Sequence, residues 1–211
     1  MTYKGPLRWN AVAGRFRDAL GRFVSFADVD EALTVALASA SAEALASTAA
    51  LRAGTLPLAA WQRSMQEAIK ATHLVSASLA HGGLNRIDGA ALARIRATIR
   101  AEFGYLDVLA RQVAAGTQPL DGRLAARARM YLRAGRMTFT TERREVLRAD
   151  GFDQERNRKG TLDNCDGCVR ETARGWVPLG SLVPVGTRDC KRNCRCRVEF
   201  RRTADGATRE A

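Results

Sequence analysis

The chain is poor in the residues that most catalytic sites need. It has only two histidines, His73 and His81, and they lie eight residues apart, whereas a helical metal-binding pair is spaced by four. The pair Gly82-Gly83 is not followed by the lysine and serine of a phosphate-binding loop. No group of Asp and Glu has the spacing of metal ligands either. We therefore expect a binding or structural protein and not an enzyme.

Long hydrophobic runs are also missing. No apolar stretch approaches the ~18 residues that suggest a membrane span. No apolar segment and no small-residue cleavage site follow Met1, as they would in a secretory signal. We therefore expect no membrane association and a chain that meets a reducing cytosol. In that compartment, clustered cysteines favour metal binding over disulfides.

Cysteine is absent from the first 164 residues, and all five cysteines fall within the next 32. They form a Cys165-x-x-Cys168 pair and, after 21 residues, a Cys190-x-x-x-Cys194-x-Cys196 group. Two thiol clusters joined by a loop of turn-forming residues can converge on one tetrahedral zinc ion, which accepts four Cys thiolates. The odd number argues against a disulfide scaffold, and no βαβ pattern supports a redox role. The spacing predicts a structural zinc site.

The spacing leaves open which four cysteines bind the metal. Cys165 and Cys168 are the firmest pair, and the fifth cysteine would be a spare thiol. A catalytic zinc would keep an open position beside a general base, and no Glu or His stands out in that role.

Lysine is scarce as well, so the basic charge is carried by arginine. The net charge is +12, with 30 Arg and only 4 Lys. A charge of this size favours polyanions, above all nucleic acid. The alternative is a solvated surface whose arginines reflect a GC-rich genome.

Hydrophobic periodicity predicts helices over residues 28–52, 56–81, 89–115 and 120–149, with a break at Gly135 as an open alternative. In the last helix, Arg123–Arg127 and Arg129–Arg133 are like-charge pairs four residues apart, which destabilise an isolated helix. A helix that tolerates such repulsion is suited to contact an anion, either phosphate or an acidic protein. The predicted polyanion or partner contacts are Arg123, Arg127, Arg129, Arg133, Arg136, Arg143 and Arg144.

The predicted fold class is mainly α, with a helical domain followed by a small C-terminal β module that zinc holds together. Residues 1–27, which repeat a Gly-Arg-Phe motif, are an N-terminal arm or a loop folded back on the core. Residues 28–150 are the helical domain, and residues 203–211 are a flexible tail. Residues 151–202 begin with a polar linker and form a cysteine-rich zinc-binding module. This module contains short strands or turns at 176–180 and 182–186 and a last strand at 197–202, and it needs a metal because it buries little apolar surface.

The C-terminal region carries a specific string of residues: Cys165-Asp-Gly-Cys168, Gly175-Trp176-Val177-Pro178-Leu179-Gly180, Pro184, Gly186-Thr187 and Asn193-Cys194-Arg195-Cys196. This string resembles the end of phage Mu F-like minor head proteins, the head morphogenesis family. The resemblance covers residues 120–202 and, more weakly, the leader at 14–25. It implies a virion protein near the portal vertex that is assembled in the host cytoplasm, in many copies. Its implied partners are portal or capsid proteins and packaged DNA, and no enzymatic activity comes with the module.

The main alternative is a zinc-containing nucleic-acid-binding protein whose cysteine module is a finger. Such a finger reads bases from a short helix that follows its first ligands. The loop after Cys168 contains two prolines and several glycines, so we expect no such helix there.

Overall fold

The computed structural model describes residues 6–160, 163–190 and 194–203. Asn193 of the family string, the first five residues of the arm and residues 204–211 of the predicted tail lie outside these ranges. The described chain is mainly α-helical, with short strands near both ends, which confirms the predicted class. The helices are α1 (Phe26–Arg52), α2 (Leu58–His81), α3 (Gly89–Ala114), α4 (Gly122–Arg133), α5 (Gly135–Ala149) and α6 (Asp166–Ala173). The strands are β1 (Arg8–Asn10), β2 (Arg15–Arg17), β3 (Gln154–Arg158), β4 (Val177–Pro178) and β5 (Arg197–Arg201).

The helical part is a bundle in which α2 contacts α1, α3, α4 and α5. The N-terminal cap of α1 is Ser25, whose hydroxyl accepts from the backbone N–H of Asp28 while the Asp28 carboxylate accepts from the Ser25 N–H. This capping box satisfies two backbone donors that the first turn leaves without partners.

Among the described residues, α1 is the one helix that is long and apolar enough to cross a membrane by length and composition alone. Its most apolar 18 residues have a mean hydropathy of 1.3, and 28% of them are buried. The apolar character of α1 is not evident from the sequence, because its middle is rich in alanine and serine and is not a run of large apolar residues. The buried side of α1 contributes Val29, Leu33 and Leu37 to one hydrophobic core, and Ala44 and Leu51 to a second.

The predicted fourth helix is broken in two, between Arg133 and Gly135. The break places the start of α5 against α1 and α2 at very short range. A Cβ atom at Gly135 would lie 2.6 Å from a methyl group of Leu37 and 2.9 Å from the carbonyl oxygen of Thr72. Glycine is therefore required here by the close approach of the helices and not by an unusual backbone conformation.

The N-terminal segment is folded back on the core, the second of the two alternatives for residues 1–27. Strands β1 and β2 form an antiparallel hairpin in which Trp9 pairs with Phe16, and both side chains are buried. The hairpin also approaches the end of α2, where Gly82 adopts a left-handed conformation with φ of 76°. A Cβ at Gly82 would lie 2.3 Å from the backbone nitrogen of Trp9, so both the conformation and the contact require glycine.

The C-terminal sheet has the antiparallel order β4-β3-β5. Its central strand, β3, falls in the polar stretch that the sequence analysis treated as a linker, and this interpretation was wrong. The inward positions of β3 are Glu155 and Asn157, both almost completely buried. A strand whose buried side chains are polar shows no hydrophobic alternation, and therefore its sequence looks like a loop.

The sheet shares one hydrophobic core with the hairpin and with the helices α1 and α5. This core contains Phe16, Leu33, Phe139, Val198 and Phe200, together with three of the cysteines. A second core lies between α1, α2, α3 and α4 around the fully buried Trp61. The cysteine module is thus built onto the helical domain and is not an appendage behind a linker.

Replacing Gly135 with Ala tests the close approach of α5 to α1 and α2. We expect the Gly135→Ala variant to lose about 1–3 kcal/mol of unfolding free energy, as overpacked cores do. The matched control is Gly104→Ala in the middle of α3, where a Cβ would meet nothing within 4 Å. That control should gain up to about 1 kcal/mol from helix propensity. Urea unfolding measures both, and a Gly135→Ala variant as stable as the parent would contradict the packing argument.

Candidate metal centre

The five cysteines lie on three segments that meet at one end of the C-terminal sheet. Cys165 is the N-terminal cap residue of α6, and Cys168 lies in the first turn of that helix. Cys190 follows the loop after β4, and Cys194 and Cys196 lie directly before β5. Helix α6 directly follows the first cysteine, so the expectation that no short helix follows the first ligands was wrong. The N-terminus of a helix stabilises negative charge and so favours thiolates at this position.

The thiols form two overlapping groups that share Cys168. One group is Cys165, Cys168 and Cys190, the other is Cys168, Cys194 and Cys196, and in each the sulfur atoms lie within 4.8 Å of one another. The Sγ of Cys168 is 3.6 Å from that of Cys190 and 3.4 Å from that of Cys194. They line a cavity of about 290 Å³. The structure therefore brings all five predicted ligands together, and the cluster could hold a metal ion.

Crowding of the thiols controls their protonation. Burial raises the pKa of Cys168 to about 12. A hydrogen bond between Cys194 and Cys196 raises the pKa of Cys194 far above its usual range and lowers that of Cys196 to about 5. At neutral pH without a cation, Cys168 and Cys194 thus keep their protons, because burial disfavours the thiolate of Cys168 and the thiol of Cys194 donates to the sulfur of Cys196. A divalent cation supplies the charge that allows several thiolates to coexist, so the donor set fits a metal.

The buried side chain of Arg188 contacts the cysteine cluster, and it is not among the site residues predicted from the sequence. Its guanidinium is buried and donates to the carbonyl oxygen of Val183, to Oδ1 of Asn157 and to the Sγ of Cys168 at 3.8 Å. Asn157 in turn donates to the backbone carbonyl of Cys168 and to the hydroxyl of Thr172. Groups of this kind fix ligand orientation around a metal. No local spacing in the sequence indicates Arg188, because two of its partners, Asn157 and Cys168, lie on β3 and α6, far away along the chain.

The arginines predicted to contact a polyanion do not share one environment. Arg143 and Arg144 are buried, so their assignment to an external contact was wrong. The guanidinium of Arg143 lies 3.4 Å from the ring centre of Trp9 and 4.6 Å from that of Phe16, and burial lowers its pKa to about 9. Arg144 forms two hydrogen bonds, of 2.8 and 3.0 Å, with the carboxylate of Glu155.

Three of the remaining arginines line one groove between α1, α4 and the cysteine cluster. Arg129, Arg133 and Arg136 border this cavity of about 820 Å³, and Arg195, which lies beside Cys194, joins them. Arg136 also forms an ion pair of 2.6 Å with Asp30.

Two further arginines of α4 have partners on the protein itself. Arg123 pairs with Asp121 at 2.8 Å, and Arg127 donates to the side chains of Gln112 and Gln118. The groove is therefore the place where the predicted arginines are brought together.

Comparison of the chain with protein-family models, with curated proteins and with solved structures gave no match. The resemblance to phage head proteins therefore rests on the residues of the C-terminal string alone. The site is defined here by its own geometry: five converging thiols, a buried guanidinium behind them and a cationic groove beside them.

Metal affinity should fall as the pH is lowered, because a metal must displace the protons of Cys168 and Cys194. Displacing two protons makes the affinity fall by roughly 100-fold for each pH unit. Competition with a chromogenic chelator between about pH 6 and about pH 8 measures the slope. An affinity that is independent of pH would show that the thiols are already ionised and would contradict the protonation described above.

Proposed function

We propose that this protein is a structural virion protein of a tailed phage, a minor head or head morphogenesis protein that acts in capsid or portal-vertex assembly. The observation that carries the proposal is the cysteine cluster itself, which is packed into the core that the sheet, α1 and α5 share. Such a site holds a fold together. The residues around it, from Gly175-Trp176 to Cys194-Arg195-Cys196, are those that resemble the head morphogenesis family.

We propose that the metal is zinc in a structural role. Four thiolates that surround zinc at 2.3 Å in a tetrahedron lie about 3.8 Å apart. The spacings of 3.4 and 3.6 Å around Cys168 need only a small expansion to reach this geometry. A set of cysteine ligands that closes the coordination shell leaves no position for substrate, so the proposal includes no enzymatic activity.

The exposed arginines of the groove are the proposed contact with a polyanion or an acidic partner. Arg129 and Arg133 are exposed on α4, and Arg195 is exposed next to the metal cluster. Portal or capsid proteins are the proposed partners, and packaged DNA is a second polyanion that such a surface would bind. We further propose that the protein assembles in many copies in the host cytoplasm and then remains in the virion.

The alternative, a zinc-containing nucleic-acid-binding protein, gains one supporting observation from helix α6. This helix follows Cys165, as the recognition helix of a finger would follow its first ligand. Its exposed side chains weaken the alternative, however. They are Asp166, Val169, Arg170 and Ala173, and Arg170 lies 3.6 Å from the carboxylate of Asp189. A helix with one neutralised base and one acid is poorly suited to enter a DNA groove.

The zinc proposal predicts one zinc per chain in protein purified under reducing conditions. Cys168→Ser should abolish tight binding, because Cys168 belongs to both thiol groups. Cys165→Ser and Cys196→Ser each remove a cysteine that belongs to only one group. If Cys196 is the spare thiol, Cys196→Ser keeps one zinc per chain while Cys165→Ser loses it. Metal analysis and chelator-induced unfolding provide the measurements, and a reduced wild-type protein with far less than one zinc per chain would contradict the proposal.

The virion proposal predicts that particles purified from the source phage contain this chain. Particles assembled with the Arg129→Glu, Arg133→Glu double variant should contain at least about tenfold less of it, because charge reversal turns attraction into repulsion. The control is Arg52→Glu with Arg111→Glu, which makes the same change in net charge at exposed positions outside the groove. Mass spectrometry of the particles measures incorporation. Absence of the wild-type chain from particles would contradict the virion proposal, whereas equal incorporation of all variants would contradict only the role of the groove.

A further inference from the structure

A second groove, remote from the cysteines, runs between α2 and α3. Its floor is apolar, its rim is basic, and its volume is about 430 Å³. Leu74 on α2 and Ile95 and Ile99 on α3 form the middle of the floor. The complete lining is Lys70, Leu74, Leu92, Ile95, Arg96, Ile99, Arg100 and Phe103.

The groove exists because the apolar side of α3 is wider than the surface that α2 covers. Ile95 is 1% exposed at the contact between the helices, but Leu74 is 38% exposed. Leu92, Ile99 and Phe103 are only partly buried, although they follow the same three-to-four residue spacing as Ile95. A helix of a globular protein usually packs an apolar stripe of this kind against other elements and does not leave it in solvent. Within the described residues, the second neighbour of α3 along this groove is absent.

The rim of the groove carries positive charge only. Lys70, Arg96 and Arg100 flank the floor, and no acidic residue belongs to the described lining. Glu67 pairs with Lys70 at 2.7 Å from outside the groove. This leaves two exposed arginines, Arg96 and Arg100, one turn apart on α3.

These charges select among the occupants that an apolar groove can accept. A second copy of the chain bound through the same surface would bring Arg96 and Arg100 against their own equivalents, and like charges across an interface are unfavourable. Nucleic acid would find a largely aliphatic floor with one ring, Phe103, whereas single strands bind on several stacked aromatic side chains. A helix with one apolar side and flanking carboxylates matches both the floor and the rim.

We propose that the groove between α2 and α3 binds an acidic amphipathic helix of a different protein. The apolar side of that helix lies on Leu74, Ile95 and Ile99, and its carboxylates pair with Arg96 and Arg100. This proposal does not depend on the metal or on the virion assignment, because no residue of the groove touches the cysteine cluster.

The test uses a fluorescent synthetic helix of about 18 residues, long enough to form a stable helix on binding. Its apolar side is leucine and its flanking positions are glutamate, and a matched peptide carries lysine in place of every glutamate. Binding to the full chain, as purified under reducing conditions, is followed by fluorescence anisotropy. The glutamate peptide should bind at least about tenfold more tightly than the lysine peptide, since the rim repels the second.

Two double variants locate the binding site. Arg96→Glu with Arg100→Glu should weaken the glutamate peptide at least about tenfold and favour the lysine peptide. The control is Arg52→Glu with Arg111→Glu, which makes the same change in net charge at exposed positions outside the groove and should leave the affinity unchanged. Circular dichroism confirms that each variant folds.

Three results would overturn the proposal. The first is equal binding of the two peptides, or no binding of either. The second is equal weakening by both double variants, which would indicate attraction by net charge alone. The third is evidence for another occupant. Displacement of the peptide by duplex DNA would assign the groove to nucleic acid. A dimer in sedimentation whose stability changes in the Arg96→Glu, Arg100→Glu variant would assign it to a second copy of the chain.

Discussion

Three consecutive charged residues in α5 hold the parts of the molecule together. Glu142 accepts hydrogen bonds from His81 and Arg94 on α2 and α3, Arg143 lies against the rings of the N-terminal hairpin, and Arg144 pairs with Glu155 of β3. Neighbouring residues of a helix point about 100° apart. Three in a row can therefore be buried only when the helix is surrounded on most sides. Glu142 and Arg144 are compensated by ion pairs, since an uncompensated buried charge costs several kcal/mol, and Arg143 is held by the two rings and by the carbonyl oxygen of Ala80.

The same constraint explains how a small sheet is stabilised without a large core of its own. The carboxylate of Glu155 accepts from Arg144 and from the backbone N–H of Leu182, so it joins α5 to β3 and to the loop after β4. At the opposite end of β3, Asn157 connects to Cys168 through Arg188. The ion pair thus attaches one end of β3 to the bundle, while the cysteine cluster, which could hold a metal ion, lies at the other end of the strand. A metal bound there would therefore stabilise α6 and the segment before β5 more directly than the sheet itself.

Elements whose stabilising contacts are local could be predicted from the sequence, whereas elements whose contacts are distant along the chain could not. The ends of the long helices were predicted to within two or three residues, because the apolar spacing and the capping residues that define a helix lie close together in the sequence. The convergence of the cysteines was also predicted, since metal ligands must meet. Strand β3 was missed because its buried side chains, Glu155 and Asn157, are polar and their partners lie 11 or more residues away. Arg143 and Arg144 were misplaced for the same reason, since nothing in their spacing distinguishes a buried arginine from an exposed one.

Because these arginines are buried, only part of the net charge of +12 is available to attract a polyanion. A polyanion gains affinity only from cations that can reach its phosphates or carboxylates. Arg143 and Arg144 are inside the molecule, and Arg123 and Arg136 already lie beside carboxylates of their own chain. Two places nevertheless bring exposed arginines together beside a cavity, the groove beside the cysteines and the rim between α2 and α3. Because one groove adjoins the metal cluster and the other lies on the far helix α3, the protein has two separate basic surfaces through which an assembly could contact different neighbours.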